Sequence, residues 1–219
     1  MADTDFEPNQ ARQGFAADIP LTYHPVRHLL GSAVFGVLGI AAALASLGHV
    51  RPVELCAVPA TLVAMNLLEY TSHRYLMHRR TRVLPYAYAA HTLRHHACFP
   101  ERAMEVASPR ELWLILFGPR EIALFALATV PFLALLAALA SRNAAALAAA
   151  AVLAHYLLYE GLHLVSHLPE QHWLARRRVL APLRRRHARH HGARREGYNV
   201  TLPLGDWLFG TLGPRPRGG

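Results

Sequence analysis

The stretch that decides the fold is Glu69–His96, EYTSHRYLMHRRTRVLPYAYAAHTLRHH, where an apolar segment ends and a polar, arginine-rich one begins. It contains five histidines. Later the chain repeats the pattern, with EGLHLVSH at residues 160–167 and RRRHARHH at residues 184–191. Imidazole is a preferred ligand of iron, zinc, copper and nickel. Two matched histidine-rich halves therefore predict one metal centre to which both halves contribute.

Ten of the fifteen histidines belong to these clusters. They are His73, His78, His91, His95, His96, His163, His167, His187, His190 and His191. His163 and His167 are four residues apart and share one face of a helix. His73 and His78 are five apart, about 140° around an α-helix, so we expect them to serve different ions.

Neighbouring histidines in the sequence also indicate more than one ion. Both HTLRHH and HARHH end in an adjacent pair, His95-His96 in the first and His190-His191 in the second. Successive side chains on a helix point in different directions, so the members of each pair face different ligand positions. Ten imidazoles are too many for one ion and suit two. We predict no catalytic residue beyond these ligands.

Three further residues could support the predicted centre. Glu69 precedes His73 by four residues and Glu160 precedes His163 by three, so either carboxylate could accept an imidazole N–H, as often happens at metal sites. The alternative is that each carboxylate pairs with arginine at a membrane edge. His172 follows the second histidine group and is a possible extra ligand.

Long apolar blocks make up much of the chain of 219 residues, which is 53% hydrophobic with a mean hydropathy of +0.17. The blocks lie at about 29–47, 53–72, 122–140 and 144–164. Each is close to the length that a helix needs to cross a bilayer. The prediction is an all-α integral membrane bundle of four helices, arranged as two hairpins with tight turns near 48–52 and 141–143.

Arginine supplies all 23 basic side chains and is distributed unevenly between the two predicted membrane faces. The turns contain Arg51 and Arg142, and the other 21 arginines fall on the opposite side. Basic loops mark the cytoplasmic face, so we place both termini and the histidine clusters there, within a cytosolic helical cap. This pattern also accounts for the net charge of +9 without nucleic-acid binding.

The ends of the chain are polar or rich in proline and glycine. We expect a disordered N-terminal tail at 1–20, a membrane-embedded domain at 21–213 and a disordered tail at 214–219. The segment LPLGDWLFGTL at residues 202–212 combines tryptophan with leucine and phenylalanine. Tryptophan favours the membrane interface, so this segment is either a cap over the site or a membrane anchor.

At the motif level the chain resembles the fatty acid hydroxylase and sterol desaturase superfamily. HRYLMH, HTLRHH, HLVSH and HARHH match its histidine motifs, and EYTSHRYLMH, YLLYEGLHLVSH and YNVTLPLGDWLFGTL are similar to segments of bacterial members. The resemblance extends from about Leu29 to Leu212. One motif departs from the pattern: the usual HxxHH is here an Hx3HH. We expect the extra residue to turn His91 away from its usual place.

The resemblance implies an integral membrane enzyme with two non-haem iron ions, for which zinc could substitute. It implies the use of O₂ to hydroxylate or desaturate a lipid such as a fatty acyl chain or a sterol. The two electrons per turnover would come from a separate ferredoxin, cytochrome or reductase, docking on Arg176–Arg178 and Arg184–Arg186 unless these bind anionic lipid. A multi-pass protein of the bacterial inner membrane is expected.

Two other classes of protein remain open from the residues alone. A membrane cytochrome with bis-histidine haem would place isolated axial histidines inside its spans rather than adjacent pairs at their ends. A non-enzymatic membrane protein that binds or transports metal would place ligands near the middle of the bilayer. Zinc hydrolases normally have about three protein ligands and an open position, which fits ten histidines poorly.

Overall fold

The computed structural model describes residues 8–192 and 196–213, and within these ranges the chain is helical and contains no β-strand. The α-helices are α1 (Pro8–Ala16), α2 (Pro25–Ala45), α3 (Ala57–Ser72), α4 (Pro85–Tyr88), α5 (His96–Cys98), α6 (Pro119–Leu139), α7 (Arg142–Ser166), α8 (Ala181–His190) and α9 (Leu204–Leu208). A π-helical turn at His73–Met77 continues α3, and another at Ala89–His95 joins α4 to α5.

Four helical segments are long and apolar enough to cross a membrane. They are Pro25–Ala45, Pro52–Met77, Glu121–Leu139 and Arg142–Ser166. The predicted all-helical class with four membrane-spanning candidates is confirmed. Only 11% of the apolar window in the first segment is buried by protein, and 0% of that in the third. So much exposed leucine and valine surface is stable in hydrocarbon and unfavourable in water.

Local sequence sets the ends of these long helices. Pro25 and Pro119 occupy the first helical turns of α2 and α6, where a missing N–H costs nothing. Ser46 caps the C-terminal end of α2, and its hydroxyl donates to the carbonyl of Ala43 at 2.7 Å. Pro131 lies inside α6, a position that membrane helices tolerate.

One compact unit consists of His24–Asn66 and Leu116–Gly161 and contains most of the apolar helices. Glycines allow α2 and α7 to approach closely. A Cβ atom at Gly36 would lie 2.5 Å from a methyl carbon of Leu157, and one at Gly39 would lie 2.5 Å from a methyl carbon of Leu153. Such small residues are typical of packed membrane helices.

The two predicted turns are tied together within this unit by a buried carboxylate. Glu54 accepts the N–H of Arg51 at 2.7 Å and the hydroxyl of Ser141 at 2.5 Å. Asn143 donates to the carbonyl of His49 at 2.9 Å and, through its own side-chain oxygen, accepts the N–H of Gly48. These hydrogen bonds satisfy backbone groups that the turns leave outside the helices.

The second compact unit includes the described residues from 8 to 23, 67 to 115 and 162 to 213. Its hydrophobic core contains Cys98 and Phe99, packed with Leu114 and Ile115. All of the clustered histidines belong to this unit.

The N-terminal segment corrects one expectation. Residues 1–20 were predicted to form a disordered tail, but helix α1 covers Pro8–Ala16 and Ala11 is buried. Arg12 accounts for the difference, because its guanidinium donates to the carbonyl of Cys98 at 2.7 Å and to that of Ala103 at 2.5 Å. Composition cannot reveal such long-range contacts. Residues 1–7, and 214–219 of the predicted C-terminal tail, lie outside the described residues.

Candidate metal centre

The ten clustered histidines form two groups, and in each group one ligand atom per residue lies within 4.8 Å of all the others. Group A consists of His73, His78, His91, His96 and His190. Group B consists of His95, His163, His167, His187 and His191. Both halves of the sequence contribute to each group. Each adjacent pair in the sequence has one member in group A and the other in group B.

Group A contains two pairs of histidines five residues apart, His73 with His78 and His91 with His96, and each pair lies on a π-helical turn. The N–H of His78 donates to the carbonyl of His73 at 3.1 Å, a bond between residues five apart. Because residues joined in this way lie above one another on a π-helix, both imidazoles face the same side. The expectation that His73 and His78 serve different ions was therefore wrong. It assumed α-helical geometry, in which five residues correspond to about 140°.

The second π-helical turn corrects the expectation for His91. The N–H of His96 donates to the carbonyl of His91, again across five residues. The Nε2 atoms of the two imidazoles are 3.1 Å apart. The extra residue of the Hx3HH motif is absorbed by the wider turn, so His91 is not turned away.

Group B uses ordinary α-helical spacing. His163 and His167 lie four apart on α7, and His187 and His191 lie four apart at the end of α8. The Nε2 atoms of His167 and His187 are 3.1 Å apart, so the two helices bring their pairs together. His95 completes the group and lies 3.2 Å from His163 between Nε2 atoms.

Arginines hold α8 in place. Arg184 donates to the carbonyls of Val165 at 2.5 Å and Leu168 at 3.0 Å, which ties α8 to the end of α7. Arg186 donates to the carbonyls of Asn199 and Val200, both at 3.1 Å. These two side chains were predicted to form part of a docking surface, but their guanidinium groups bind the protein's own backbone. Of the six arginines in that prediction, the exposed ones are Arg176, Arg177, Arg178 and Arg185.

Backbone carbonyls determine which imidazole nitrogen faces each group. The Nδ1 atoms of five of the histidines lie within hydrogen-bonding distance of a carbonyl oxygen. The pairs are His73 with Tyr198, His95 with Leu114, His167 with Met104, His190 with Glu196 and His191 with Phe99. A carbonyl can only accept, so Nδ1 carries the proton and Nε2 of the neutral ring has a free lone pair.

The Nε2 atoms approach one another more closely than unprotonated nitrogens would without a cation. In group A, His73 and His91 are 2.8 Å apart and His78 and His190 are 3.0 Å apart at Nε2. Two nitrogens bound at right angles to one ion, each about 2.1 Å from it, are about 3.0 Å apart. The donor set therefore fits a bound metal ion in each group.

Burial keeps these imidazoles neutral. It lowers the pKa of His95 to about 4 and that of His190 to about 3, in each case mainly through desolvation. Desolvation, followed by repulsion from neighbouring imidazoles, also lowers the pKa of four other histidines. They are His91, His96, His187 and His191. A neutral ring is the form that binds a metal, so no proton has to be displaced at neutral pH.

Comparison with known proteins identifies the family of this chain. The fatty acid hydroxylase family model matches residues 58–211. The chain belongs to the fatty acid hydroxylase family. A relative, dihydroceramide fatty acyl 2-hydroxylase FAH2 of Arabidopsis thaliana, is 30% identical over 154 residues, 69% of this chain. The matched part spans 58% of that relative's length.

A solved structure shares the fold. It is that of full-length Scs7p, in which only the hydroxylase domain is visible. It superposes with a TM-score of 0.54 at 22% sequence identity, covering 94% of this chain and 67% of that one. The two histidine groups thus lie in a chain with the fold of a fatty acid hydroxylase domain.

The predicted supporting residues have mixed outcomes. Glu69 accepts the N–H groups of Val200 at 2.5 Å and Thr201 at 3.0 Å, while Nδ1 of His73 meets a carbonyl instead of this carboxylate. Glu160 belongs to the other unit, where it accepts the N–H of Phe117 at 3.0 Å. Its role toward an imidazole stays a prediction.

His172 lies outside both groups. Its Nδ1 accepts the backbone N–H of Leu174 at 3.3 Å, and its ring lies beside that of Trp173. The structure therefore does not bring it to the ten clustered histidines.

The residues missed from the sequence are the carbonyl acceptors, since any residue type can supply a carbonyl and sequence motifs do not mark them. Asp206 was also missed; a lone acidic residue inside the apolar LPLGDWLFGTL segment was its only signal.

Proposed function

We propose that this chain is a membrane-bound non-haem di-iron oxygenase that hydroxylates a lipid, with one iron ion in group A and one in group B. The single observation that carries the proposal is the pair of all-imidazole groups, in which Nε2 atoms lie close to one another. Family membership supports lipid hydroxylation rather than desaturation. The name of the Arabidopsis relative suggests a fatty acyl chain as the substrate.

The protein's own contribution is to hold ligands in one protonation state and to exclude water. In five of the histidines the Nδ1–H group donates to a backbone carbonyl, so the Nε2 atom that faces the ion carries no proton. His73, His95 and His167 are at most 2% exposed, which limits access of bulk water to the ligands. Iron, when bound by the ten histidines, would supply O₂ activation and the removal of hydrogen from a C–H bond.

The reaction consumes two electrons for each O₂, and we propose that a separate ferredoxin, cytochrome or reductase supplies them. Arg176, Arg177 and Arg178 form an exposed basic segment before α8, with Arg177 stacked 5.2 Å above the ring centre of Trp173. Such a segment suits an acidic protein carrier. Anionic lipid headgroups are an alternative partner for the same arginines.

Labelled oxygen tests the proposed function. Cells producing the protein are grown with isotopically labelled O₂, their lipids are analysed by mass spectrometry, and the purified protein is analysed for iron. We expect two iron ions per chain and a hydroxylated lipid that carries one labelled oxygen. His95→Ala and His190→Ala should lose iron and product together, because each removes one of the five imidazole ligands of its group.

Two histidines outside the groups provide matched controls. His49→Ala changes an exposed residue of the other unit, and His172→Ala removes the extra candidate ligand. Both variants should retain iron and product. An unchanged lipid profile in cells with the wild-type protein would overturn the proposal. A new double bond without labelled oxygen would identify a desaturase, and a haem absorption band would favour the cytochrome.

A further inference from the structure

The backbone segment Glu196–Thr201, called here the C-terminal bracket, supplies the carbonyls that orient two group A ligands. The carbonyl of Tyr198 accepts from Nδ1 of His73, and that of Glu196 accepts from Nδ1 of His190 at 2.9 Å. The acceptors for group B come from elsewhere in the chain. They are the carbonyls of Phe99, Met104 and Leu114. The two groups are therefore supported by separate parts of the chain.

Two carboxylates hold the bracket through its N–H groups. One oxygen of Asp206 accepts the N–H of Tyr198 at 2.9 Å, and the other accepts that of Asn199 at 2.8 Å. Glu69 accepts the next two N–H groups, those of Val200 and Thr201. Four consecutive donors thus end on two side chains, one from α9 and one from α3.

Asp206 is the fixed centre of this arrangement. Its side chain is 0% exposed. The carboxylate also accepts the hydroxyl of Thr211 at 2.8 Å, and its own backbone N–H donates to the side-chain oxygen of Asn199 at 3.1 Å. Gly205, next to it, has no space for a side chain, since a Cβ there would lie 2.5 Å from the Cβ of Tyr70. Close packing leaves the carboxylate little freedom to move.

Carbonyl groups of the bracket also have hydrogen-bond partners. Arg186 donates to the carbonyls of Asn199, Val200 and Thr201. The carbonyl of Tyr198 goes instead to His73. A shift of the bracket would therefore move the acceptor of His73, which is 1% exposed and so has little access to bulk water as a substitute.

We propose that Asp206 and Glu69 are positioning residues for group A alone, acting on His73 through the carbonyl of Tyr198. The inference rests on the proposed function, because it concerns metal binding by the same histidines. Hydrogen-bond partners of ligating imidazoles fix ring orientation and basicity. Here the carboxylates act indirectly: they bind backbone N–H groups of the bracket, and a carbonyl of the bracket binds the imidazole of His73.

Anaerobic titration of the metal-free protein with Fe²⁺, in detergent or lipid discs, tests this inference. Asp206→Asn has almost the same shape, but its amide NH₂ must face one of the two N–H donors. We expect the affinity of one site to fall by about 10- to 100-fold while the other is unchanged. Glu69→Leu removes the carboxylate oxygen that accepts the N–H groups of both Val200 and Thr201, so it should act in the same way. Thr211→Val removes one hydrogen bond to Asp206 and should have a smaller effect.

Combining variants identifies the affected site. With His78→Ala, a group A variant, Asp206→Asn should cause little additional loss of iron. With His167→Ala, a group B variant, it should deplete both sites. Non-additivity of this kind is the signature of two changes acting on one site. Simple destabilisation would lower both affinities in either background.

A matched control separates positioning from general stability. Glu54 is also a buried carboxylate that accepts several hydrogen bonds, but it belongs to the other unit. Glu54→Gln should lower the melting temperature and leave both iron affinities unchanged. Equal losses at both sites in Asp206→Asn, or no loss at either, would overturn the inference. If the wild-type protein binds no iron at all, the proposed function fails first.

Discussion

At the residue scale, the nitrogen that a histidine offers to a metal depends on what its other nitrogen contacts. Five backbone carbonyls accept hydrogen bonds from Nδ1–H groups, and the Nε2 atoms of the same rings therefore face inward in both groups. For His78 the neighbour is a side chain, because its Nδ1 lies 3.4 Å from the hydroxyl oxygen of Thr92. That hydroxyl donates to the carbonyl of Met77 at 2.6 Å, which leaves its oxygen free to accept from the imidazole.

Replacement of Thr92 tests this orientation. Thr92→Val keeps the shape and removes the hydroxyl, so the affinity of group A for Fe²⁺ should fall by about 10-fold, at the lower end of effects seen for ligand partners. Titration of the metal-free protein measures the change. Thr92→Ser retains the oxygen and should behave like the wild type. Equal affinities for the valine and serine variants would show that the hydroxyl does not orient His78.

At the element scale, the type of helix determines which sequence spacing places two histidines on the same face. Pairs four apart meet on α-helices in group B, and pairs five apart meet on π-helical turns in group A. The sequence could reveal the histidines and their helical setting. It could not reveal the π-turns, because a single inserted residue can be absorbed by a wider turn or can rotate everything before it. Only packing against the other ligands decides between these outcomes.

Shortening the second π-turn tests this account. Deletion of Leu93, which is 53% exposed, converts HTLRHH to HTRHH and lets an α-helical turn replace the wide one. Histidines four apart also share a face, so iron content should remain close to that of the wild type. Deletion of Thr92 removes one residue from the same turn together with the hydroxyl next to His78, and group A should weaken. Loss of iron in the Leu93 deletion, measured by metal analysis, would mean that the π-turn itself is required.

At the scale of the whole molecule, the sequence predicts features that depend on composition, such as membrane-spanning helices. It does not predict features that depend on specific tertiary contacts. The four apolar blocks could be found from length and hydropathy, because lipid selects for both. The docking of α1 through Arg12 depends on a carbonyl distant in sequence. The bracket held by Asp206 depends on backbone N–H groups, which nearly every residue type supplies, so no sequence motif marks either contact.

The distribution of charge predicts the direction of the chain across the membrane, and thiol labelling can test it. Cys56 is exposed and Cys98 is buried, so Cys56→Ser provides a background with little reactivity. The concentration of 21 of the 23 arginines away from the two turns predicts that His49→Cys reacts with an impermeant maleimide in intact cells. Arg185→Cys, placed among exposed arginines, should react only after the membrane is permeabilised. The reverse pattern would place the histidine groups outside the cytoplasm, where cytoplasmic ferredoxins and reductases could not reach them.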